Sequence, residues 1–354
     1  MNSRFLLLAS VLIPAPSLAQ EGAEPDSAAD IIVTAQRNNQ TQVRREGQVG
    51  VLGDKAAEDV PFSVRSYSEA LIYNQQPQTL GQVLENDPTV RTSYGFGNAA
   101  EQFVIRGFTL FGDDVALDGL YGITPRQLVA PELYDSVQVL GGATAFLNGA
   151  APGGSGIGGS INLAPKRAGS RDLSRATVSY VSDQHIGASF DVGRRFAGGA
   201  IGVRINGAHR QGDVAVEDEN RRATVLGAGL DYRGARIRLS LDLAYQRIRV
   251  EQLRPKVTVT SFVPRVPDAD ANYAQPWTFT DLEDLFGIAR AEWDVADDVL
   301  LYAQAGAIAA AAKNIVFGAP AVVTVKVAAC RHDGTLPTGL VSLSDSEGNV
   351  LAQE

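Results

Sequence analysis

The chain is poor in the residues that build disulfide, zinc and nucleic-acid sites. It has one cysteine and three histidines in 354 residues, which excludes an internal disulfide framework and leaves no metal-ligand spacing. The net charge is −9 with both signs interspersed, so a basic face for nucleic acid is not expected. After the N-terminus no stretch approaches 18 consecutive apolar residues. Insertion into a membrane would therefore require a barrel.

The first residues have the pattern of a secretory signal peptide. Arg4 supplies a short positive region, residues 5–13 form an apolar core, and Ser17-Leu18-Ala19 is a small-x-small cleavage site. We expect residues 1–19 to be removed on export. A buried N-terminal helix is the alternative interpretation.

Residues 20–54 are predicted to be a polar leader that contains one short β-prone run. That run is Asp30-Ile31-Ile32-Val33-Thr34-Ala35-Gln36-Arg37. An isolated β-branched strand in a polar segment has unpaired backbone groups and can add to the sheet edge of another protein. The alternative is an edge strand packed on its own domain.

Residues 55–168 are predicted to form a mixed α+β domain. Thr79 and Gln82 fit a capping box, and Asp87-Pro88 would stop the helix that follows it. The glycine-rich run 153–160 lacks the Lys-Ser/Thr of a nucleotide loop and precedes a strand, so we interpret it as a close turn. Strands are expected at 59–64, 103–106, 115–117 and 136–140, and a second helical piece at 143–147.

Residues 169–317 alternate apolar with polar or small residues, in segments of about ten residues. In residues 236–246, Ile237, Leu239, Leu241 and Leu243 share one face, opposite Arg238, Ser240 and Asp242. This pattern is typical of transmembrane barrel strands, although a soluble sandwich alternates similarly. The seven segments are 175–181, 186–196, 200–210, 223–233, 236–246, 284–294 and 299–309.

An ordered series of motifs in residues 103–166 indicates a family. The series comprises Phe-Val-Ile-Arg-Gly-Phe (103–108), Asp-Val-Ala-Leu-Asp-Gly-Leu-Tyr-Gly (114–122), Asp-Ser-Val-Gln-Val-Leu-Gly-Gly-Ala-Thr-Ala-Phe-Leu-Asn-Gly (135–149) and Ala-Pro-Gly-Gly-Ser-Gly-Ile-Gly-Gly-Ser-Ile-Asn-Leu-Ala-Pro-Lys (151–166). It resembles the plug domain of TonB-dependent outer-membrane receptors for ferric siderophores, and the resemblance extends over about residues 30–310. The implied fold is an α+β plug domain followed by antiparallel transmembrane β-barrel strands.

The resemblance also implies partners and site residues. The run 30–37 resembles a TonB box, so Asp30, Ile31, Ile32, Val33, Thr34 and Ala35 are expected to bind the periplasmic domain of TonB. The implied transported ligand is a ferric siderophore, the surrounding medium is outer-membrane lipid, and no cofactor or nucleic acid is implied.

Particular plug residues also receive roles from the resemblance. Arg106 is expected to contact acidic residues of the barrel wall. Gly141 stands where the family usually has a basic residue, which puts the usual locking of the plug in doubt. Aromatic and cationic side chains suit an aromatic, anionic ferric chelate. The expected ligand-facing residues are Tyr94, Phe96, Tyr121, Arg126 and Gln127.

The chain is short for this resemblance. Receptors of the family use about 22 strands, whereas about 190 residues follow Pro165. We therefore expect an incomplete barrel and a truncated form, with residues 318–354 as a divergent tail of undetermined origin. The alternative function is a secreted or periplasmic β-rich binding protein without transport activity. No nucleophile–base–orienter set indicates an enzyme, and Asp113 and Asp114 would face opposite sides of a strand.

Overall fold

The computed structural model describes most of the chain from residue 63 onward. All of the described residues lie in one compact unit, Gln40–Glu354. The predicted signal peptide, the run 30–37, Phe96 and residues 59–62 and 146–148 lie outside the described part. The described residues are 47–48, 54–55, 63–94, 100–145, 149, 151–181, 184–253, 268–272, 274, 276–296, 299–313, 317–318 and 322–331.

Among its described residues, the plug domain has two small sheets and the two short α-helices given below. Strands β1 (Gly47–Gln48) and β2 (Asp54–Lys55) pair with each other ahead of it. One sheet has the order β3-β8-β9-β7 and the other β4-β5-β6. The strands are β3 (Ser63–Ser68), β4 (Val90–Tyr94), β5 (Gln102–Ile105), β6 (Phe108–Leu110), β7 (Val115–Leu117), β8 (Tyr134–Gly141) and β9 (Gly159–Pro165), and the helices are Glu69–Gln75 and Leu80–Leu84. The predicted α+β character is confirmed.

The helix Glu69–Gln75 was not predicted from the sequence. The Ser68 hydroxyl caps it by accepting a hydrogen bond from the Leu71 N–H at 3.4 Å. Gln76 ends the helix in a left-handed conformation with φ of 50°. Only Leu71 and Ile72 are buried along the helix, so its apolar periodicity is too short to stand out in the sequence.

The second helix begins where the sequence predicts, but its capping box is wrong. Thr79 occupies the N-cap position without accepting a hydrogen bond from the helix. Its hydroxyl donates instead to the Glu101 carboxylate at 2.5 Å. Gln82 accepts from the Gln78 N–H rather than reaching back to Thr79. The Glu101 carboxyl takes over the capping role, because it also accepts a hydrogen bond from the Gly81 N–H of the first turn at 3.1 Å.

The seven predicted barrel segments are all strands of one antiparallel sheet. Each predicted segment overlaps its strand, and the strands pair in chain order from β10 to β16. The observed bounds are β10 (Leu173–Val181), β11 (His185–Phe196), β12 (Ile201–Asp213), β13 (Asn220–Arg233), β14 (Ile237–Glu251), β15 (Phe279–Ala296) and β16 (Val299–Lys313).

The two faces of this sheet have opposite polarity. On β14, Ile237, Leu239, Leu241 and Leu243 are exposed on the outer face, while Asp242 and Gln246 are buried against the plug. The predicted alternation is therefore confirmed, with the apolar residues outside and the polar residues inside. Among the helices that the structure describes, none is long and apolar enough to span a membrane.

The predicted tail begins with strand structure, which corrects the expectation for residues 318–354. Strand β17 (Phe317–Gly318) and strand β18 (Val322–Arg331) both pair antiparallel with β16. The run Val322–Arg331 is rich in β-branched residues, and this composition favours a strand. The sheet therefore extends beyond the seven segments that the sequence indicates.

Candidate functional site

Buried charged residues join the plug to the inner face of the strands. The first group, the Glu69 cluster, consists of Glu69, Lys166, Arg175, Asp191 and Arg204. Glu69 lies in the first turn of the helix Glu69–Gln75, and Lys166 follows β9 directly. Arg175, Asp191 and Arg204 lie on three successive strands, and side-chain alternation brings them to the inner face.

Arg204 bridges the plug and the strands within this cluster. Its Nη2 donates to Glu69 Oε2 at 2.8 Å and to Asp191 Oδ2 at 2.7 Å, and its Nε donates to Asp191 Oδ1 at 2.8 Å. Lys166 Nζ lies 3.1 Å from Asp191 Oδ2 and 3.5 Å from Glu69 Oε1. Arg175 pairs with both carboxylates and stacks on the Tyr73 ring at 4.2 Å.

The Glu69 cluster contains three cationic and two anionic side chains. Burial alone would raise the pKa of the Glu69 carboxyl, but Lys166, Arg204 and Arg175 outweigh it and hold the pKa below its usual range. Glu69 is therefore ionised at neutral pH. Each buried carboxylate has several cationic donors, which is the condition under which buried charges are tolerated.

A second group, the Arg167 cluster, consists of Arg167, Asp118 and Asp242. It lies where the chain passes from the plug to the large antiparallel sheet that begins at β10, which we call the wall. Arg167 donates to both oxygens of Asp242 on β14: Nε lies 3.2 Å from Oδ1, and Nη2 lies 2.5 Å from Oδ2. It also donates to the plug residue Asp118 at 2.9 Å. Gln304 on β16 donates to the Asp118 carbonyl at 2.9 Å. Strands β14 and β16 are thus both tied to the Asp118 turn, β14 through Arg167 and β16 through Gln304.

The Asp118 turn has the backbone that the sequence predicts for its glycines. Gly119 and Gly122 adopt φ of 83° and 76°, and Asp118 itself has φ of 48°. The buried Asn162 side chain accepts a hydrogen bond from the Gly119 N–H at 2.8 Å. The turn is therefore rigid, and it presents the Asp118 carboxylate to Arg167.

The plug segment that precedes β8 docks on the strands through polar side chains. The buried Gln246 of β14 accepts from the Ala130 N–H at 3.0 Å and donates to the Leu128 carbonyl at 2.7 Å. Asn206 donates to the Glu132 carbonyl at 3.0 Å, and Arg210 pairs with the Glu132 carboxylate. Polar groups of the inner face therefore satisfy backbone groups of the plug.

Arg106 does not join these contacts. It lies in the turn between β5 and β6 with φ of 52°, and it is exposed. Its guanidinium covers Gly141: a Cβ placed on Gly141 would stand 2.6 Å from Arg106 Nη2. Within the part of the chain that the structure describes, Arg106 forms no ion pair with an acidic residue of the wall. Its expected contact with the wall remains a prediction.

The expected ligand-facing residues are only partly brought together. Arg126 is exposed and pairs with Asp113 at 2.8 Å. The adjacent Gln127 carbonyl accepts from the Glu101 N–H at 2.8 Å, whereas Tyr121 is buried. The Tyr94 side chain and Phe96 lie outside the described residues. Their ligand roles stay predictions.

Asp113 and Asp114 face different partners, but the predicted reason is wrong. They lie in the 3₁₀ helix Gly112–Asp114 rather than in a strand. Asp113 pairs with Arg126, and Asp114 is buried under the glycine-rich run, where it accepts from the Gly153 N–H at 2.6 Å and from the Ser155 N–H at 3.0 Å. Burial raises the pKa of Asp113 against the opposing charge of Arg126.

The glycine-rich run forms the close turn that the sequence predicts. A Cβ on Gly158 would collide with the Ile105 carbonyl, and one on Gly159 would collide with the Leu140 carbonyl. The run therefore passes directly over two plug strands, and it leads into β9 rather than into a helix. Nucleotide binding has no support in this geometry.

A cavity of about 1060 Å³ lies at the end of the sheet where β12 and β14 finish. Its lining includes Arg222, Arg249, Trp277 and Phe279, and the Arg249 guanidinium stacks on the Phe279 ring at 4.6 Å. The same lining carries five acidic side chains, Asp213, Glu217, Asp218, Glu251 and Asp270, so the two arginines lie among a larger number of carboxylates. Among the described residues, no group of three or more His, Cys, Asp or Glu side chains could hold a metal ion.

Comparison with known proteins agrees with this architecture. Residues 56–155 match the TonB-dependent Receptor Plug Domain family model. The chain is 42% identical over 269 residues to the Ferrichrome receptor FcuA of Yersinia enterocolitica, covering 75% of this chain and 36% of that protein.

Solved structures show the same fold. The ferric preacinetobactin receptor BauA of Acinetobacter baumannii superposes with a TM-score of 0.73 at 33% identity, over 82% of this chain and 42% of that chain. The siderophore receptor PiuA of the same organism shares the fold at 18% identity, with a TM-score of 0.65, over 80% of this chain and 40% of its own. The chain thus spans well under half the length of these relatives.

The family match covers the plug, and the structural matches cover both the plug and the strands that grip it. The chain is therefore built as the TonB-dependent siderophore receptors are, from their plug domain and the antiparallel strands of their barrel wall.

Proposed function

We propose that the chain serves in TonB-dependent uptake of a ferric siderophore across the outer membrane. The observation that carries this proposal is a sheet with an exposed apolar outer face and a polar inner face that holds a plug by buried ion pairs. A secreted binding protein, the alternative from the sequence, would have no use for the exposed row Ile237, Leu239, Leu241 and Leu243. The same row suits outer-membrane lipid.

The ligand would bind between the plug and the long connections of the wall. Arg221, near the start of β13, is close enough to Glu101 for its charge to favour the ionised carboxyl. Because Glu101 also bonds to Gln127, the plug loops at 100–101 and 126–127 both lie toward that end of the sheet. The cavity with Arg249, Trp277 and Phe279 lies at the same end. Arg126 pairs with Asp113, and Arg249 pairs with Glu251 and Asp281, so each would turn from its carboxylate to the chelate, on which the aromatic rings would stack.

A ferric chelate should quench the fluorescence of Trp277. The chain has two tryptophans, and Trp277 is 74% exposed beside the cavity, whereas Trp293 lies toward the opposite end of β15. We expect ferrichrome or a ferric catecholate, titrated into the full chain in detergent micelles, to quench the wild type and the Trp293→Phe variant. Trp277→Phe should lose most of the quenching.

Charge variants test the same site. Arg249→Ala combined with Arg126→Ala should weaken chelate binding at least tenfold, since each removes a positive charge from the proposed site. Arg233→Ala, at the opposite end of β13, is the matched control and should bind normally. Saturable quenching that is unchanged in the double variant would place the ligand elsewhere, and the absence of quenching by every chelate would count against uptake of siderophores.

The run 30–37 should bind the periplasmic domain of TonB as an added strand. Val33→Pro removes one backbone donor from the middle of this run, and we expect at least a tenfold loss of affinity. Val43→Pro, in the neighbouring polar stretch, is the control and should bind like the wild type. Equal affinities of the two proline variants for immobilised TonB domain would refute the assignment.

A further inference from the structure

Glu101 is a buried carboxylate that belongs to neither ionic cluster. The residue is only 5% exposed. Its Oε1 accepts a hydrogen bond from the Thr79 hydroxyl at 2.5 Å, and its Oε2 accepts from the Gly81 N–H at 3.1 Å. Its own N–H donates to the Gln127 carbonyl at 2.8 Å. One residue thus joins the start of the helix Leu80–Leu84 to the plug loop that carries Arg126 and Gln127.

The Glu101 carboxylate packs directly against the backbone of the helix start. A Cβ on Gly81 would collide with the Glu101 carboxylate and would also touch Thr92. The Leu80 N–H donates to the Val129 carbonyl at 3.1 Å, which is a second tie between the same two segments. Opening the contact therefore requires the helix start and the 127–129 segment to separate together.

The charges that face Glu101 do not compensate for its burial. Arg221 on β13 favours the ionised form, and Glu85 at the end of the helix opposes it. Arg221 is itself engaged by Glu219 at 2.6 Å, and its charge also acts on Arg210 and His185. Burial is the largest influence and raises the pKa of Glu101 to about 7, against the hydrogen bonds from Thr79 and Gly81.

We propose that Glu101 is a proton-controlled latch, which holds the loop at 100–101 and the 127–129 segment on the helix Leu80–Leu84 when protonated and loosens them when ionised. The neutral carboxyl keeps both contacts if the Thr79 hydroxyl changes from donor to acceptor: one carboxyl oxygen accepts from the Gly81 N–H, and the acid O–H donates to Thr79 Oγ1. Within the described residues no cation forms an ion pair with Glu101, so the ionised carboxylate is a buried, unpaired charge that exposure to water relieves. If the chain binds a ferric chelate as proposed above, the latch sets the position of Arg126 in that site.

The sign of the pH dependence follows from the raised pKa. The closed state keeps its proton up to about pH 7, whereas an opened Glu101 titrates near its ordinary value. Between these two pKa values the closed state binds more protons than the open state, so the free energy that favours closure decreases as the pH rises. Above about pH 7 both states are ionised, and this free energy changes little.

Amide hydrogen exchange on the full chain in detergent micelles tests the latch without any ligand. After correction for intrinsic exchange rates, protection of residues 79–85 and 100–102 should fall about 30-fold from pH 5.5 to 8.5. The fall is tenfold per pH unit, and it is confined to the part of this range below about pH 7, where the two states differ in bound protons. Glu101→Gln should abolish this fall, while the control Glu85→Gln should retain it. A wild type with level protection, or a Glu101→Gln variant that still shows the fall, would overturn the proposal.

A second variant covers the case in which Glu101→Gln does not fold. Thr79→Val removes a hydrogen bond that favours the ionised carboxylate, so the fall in protection should extend to higher pH than in the wild type. A fall that ends at the same pH in Thr79→Val and in the wild type would contradict the role of Glu101. Strands β13 and β14 serve as an internal control, because their protection should not follow this pH dependence.

Discussion

Replacing Arg204 by methionine should release the plug from the strands that hold it. The Arg204 side chain is 5% exposed, and it donates to Glu69 of the plug and to Asp191 of β11. Its loss leaves two buried carboxylates with only Lys166 and Arg175 as cations. Breaking a buried pair from one side costs about 3–5 kcal/mol, because the remaining charge is still desolvated. Urea unfolding in detergent and protease sensitivity of the plug would measure the effect.

Arg233→Met is the matched control for Arg204→Met. Arg233 also pairs with a wall aspartate, Asp231, at 3.0 Å, but its side chain is 54% exposed. An exposed pair contributes about 0–1 kcal/mol, so the plug should stay in place. A double-mutant cycle with Glu69→Gln isolates the pair that crosses from plug to wall. Additive losses in that cycle would show that Arg204 acts within the wall and does not hold the plug.

The fold could be predicted where its signal is local. Alternation with period two predicts each strand from β10 to β16. One face of each strand is apolar and the other polar along the whole strand, so the signal repeats at every second residue. The strand Val322–Arg331 was assigned to a divergent tail because the surrounding residues dilute its β-branched run. Its pairing with β16 becomes visible only when the neighbouring strand is in place.

The sequence predicts only those residues of the candidate site that lie on the strands. The polar inner residues Arg204, Asp242 and Gln246 follow from alternation, which assigns them to the face away from lipid. Their plug partners, which are Glu69, Arg167 and the backbone of residues 128–130, carry no periodic signal, and Glu69 lies 135 positions from Arg204 along the chain. Ion pairs over such separations depend on the register of two independently folded parts. The same reason explains why Thr79 was assigned to a local cap although Glu101 takes its hydroxyl.

Asp114→Ala should detach the glycine-rich run from the plug. The Asp114 carboxylate accepts from the Gly153 and Ser155 N–H groups and from the Ser155 hydroxyl. The large apolar side chain within the run, Ile157, is 64% exposed and so does not anchor it. Gly153 is exposed and Ser155 half-buried, so water partly replaces the lost acceptor, and each hydrogen bond contributes about 1 kcal/mol net. We expect a total loss of about 3 kcal/mol in urea unfolding and faster hydrogen exchange in residues 151–158.

Asp113→Ala is the control for this prediction, because it changes the neighbouring carboxylate in the same 3₁₀ helix. Asp113 meets only the exposed Arg126 side chain among its ion-pair partners in the described part, and an exposed pair contributes about 0–1 kcal/mol. Asp114→Asn keeps one acceptor oxygen and should lose less stability than Asp114→Ala. Because Gly158 and Gly159 admit no side chain over Ile105 and Leu140, the run cannot repack around a smaller residue at position 114. Equal losses in Asp113→Ala and Asp114→Ala would show that the run is held by its glycine contacts alone, and that the buried carboxylate is not its anchor.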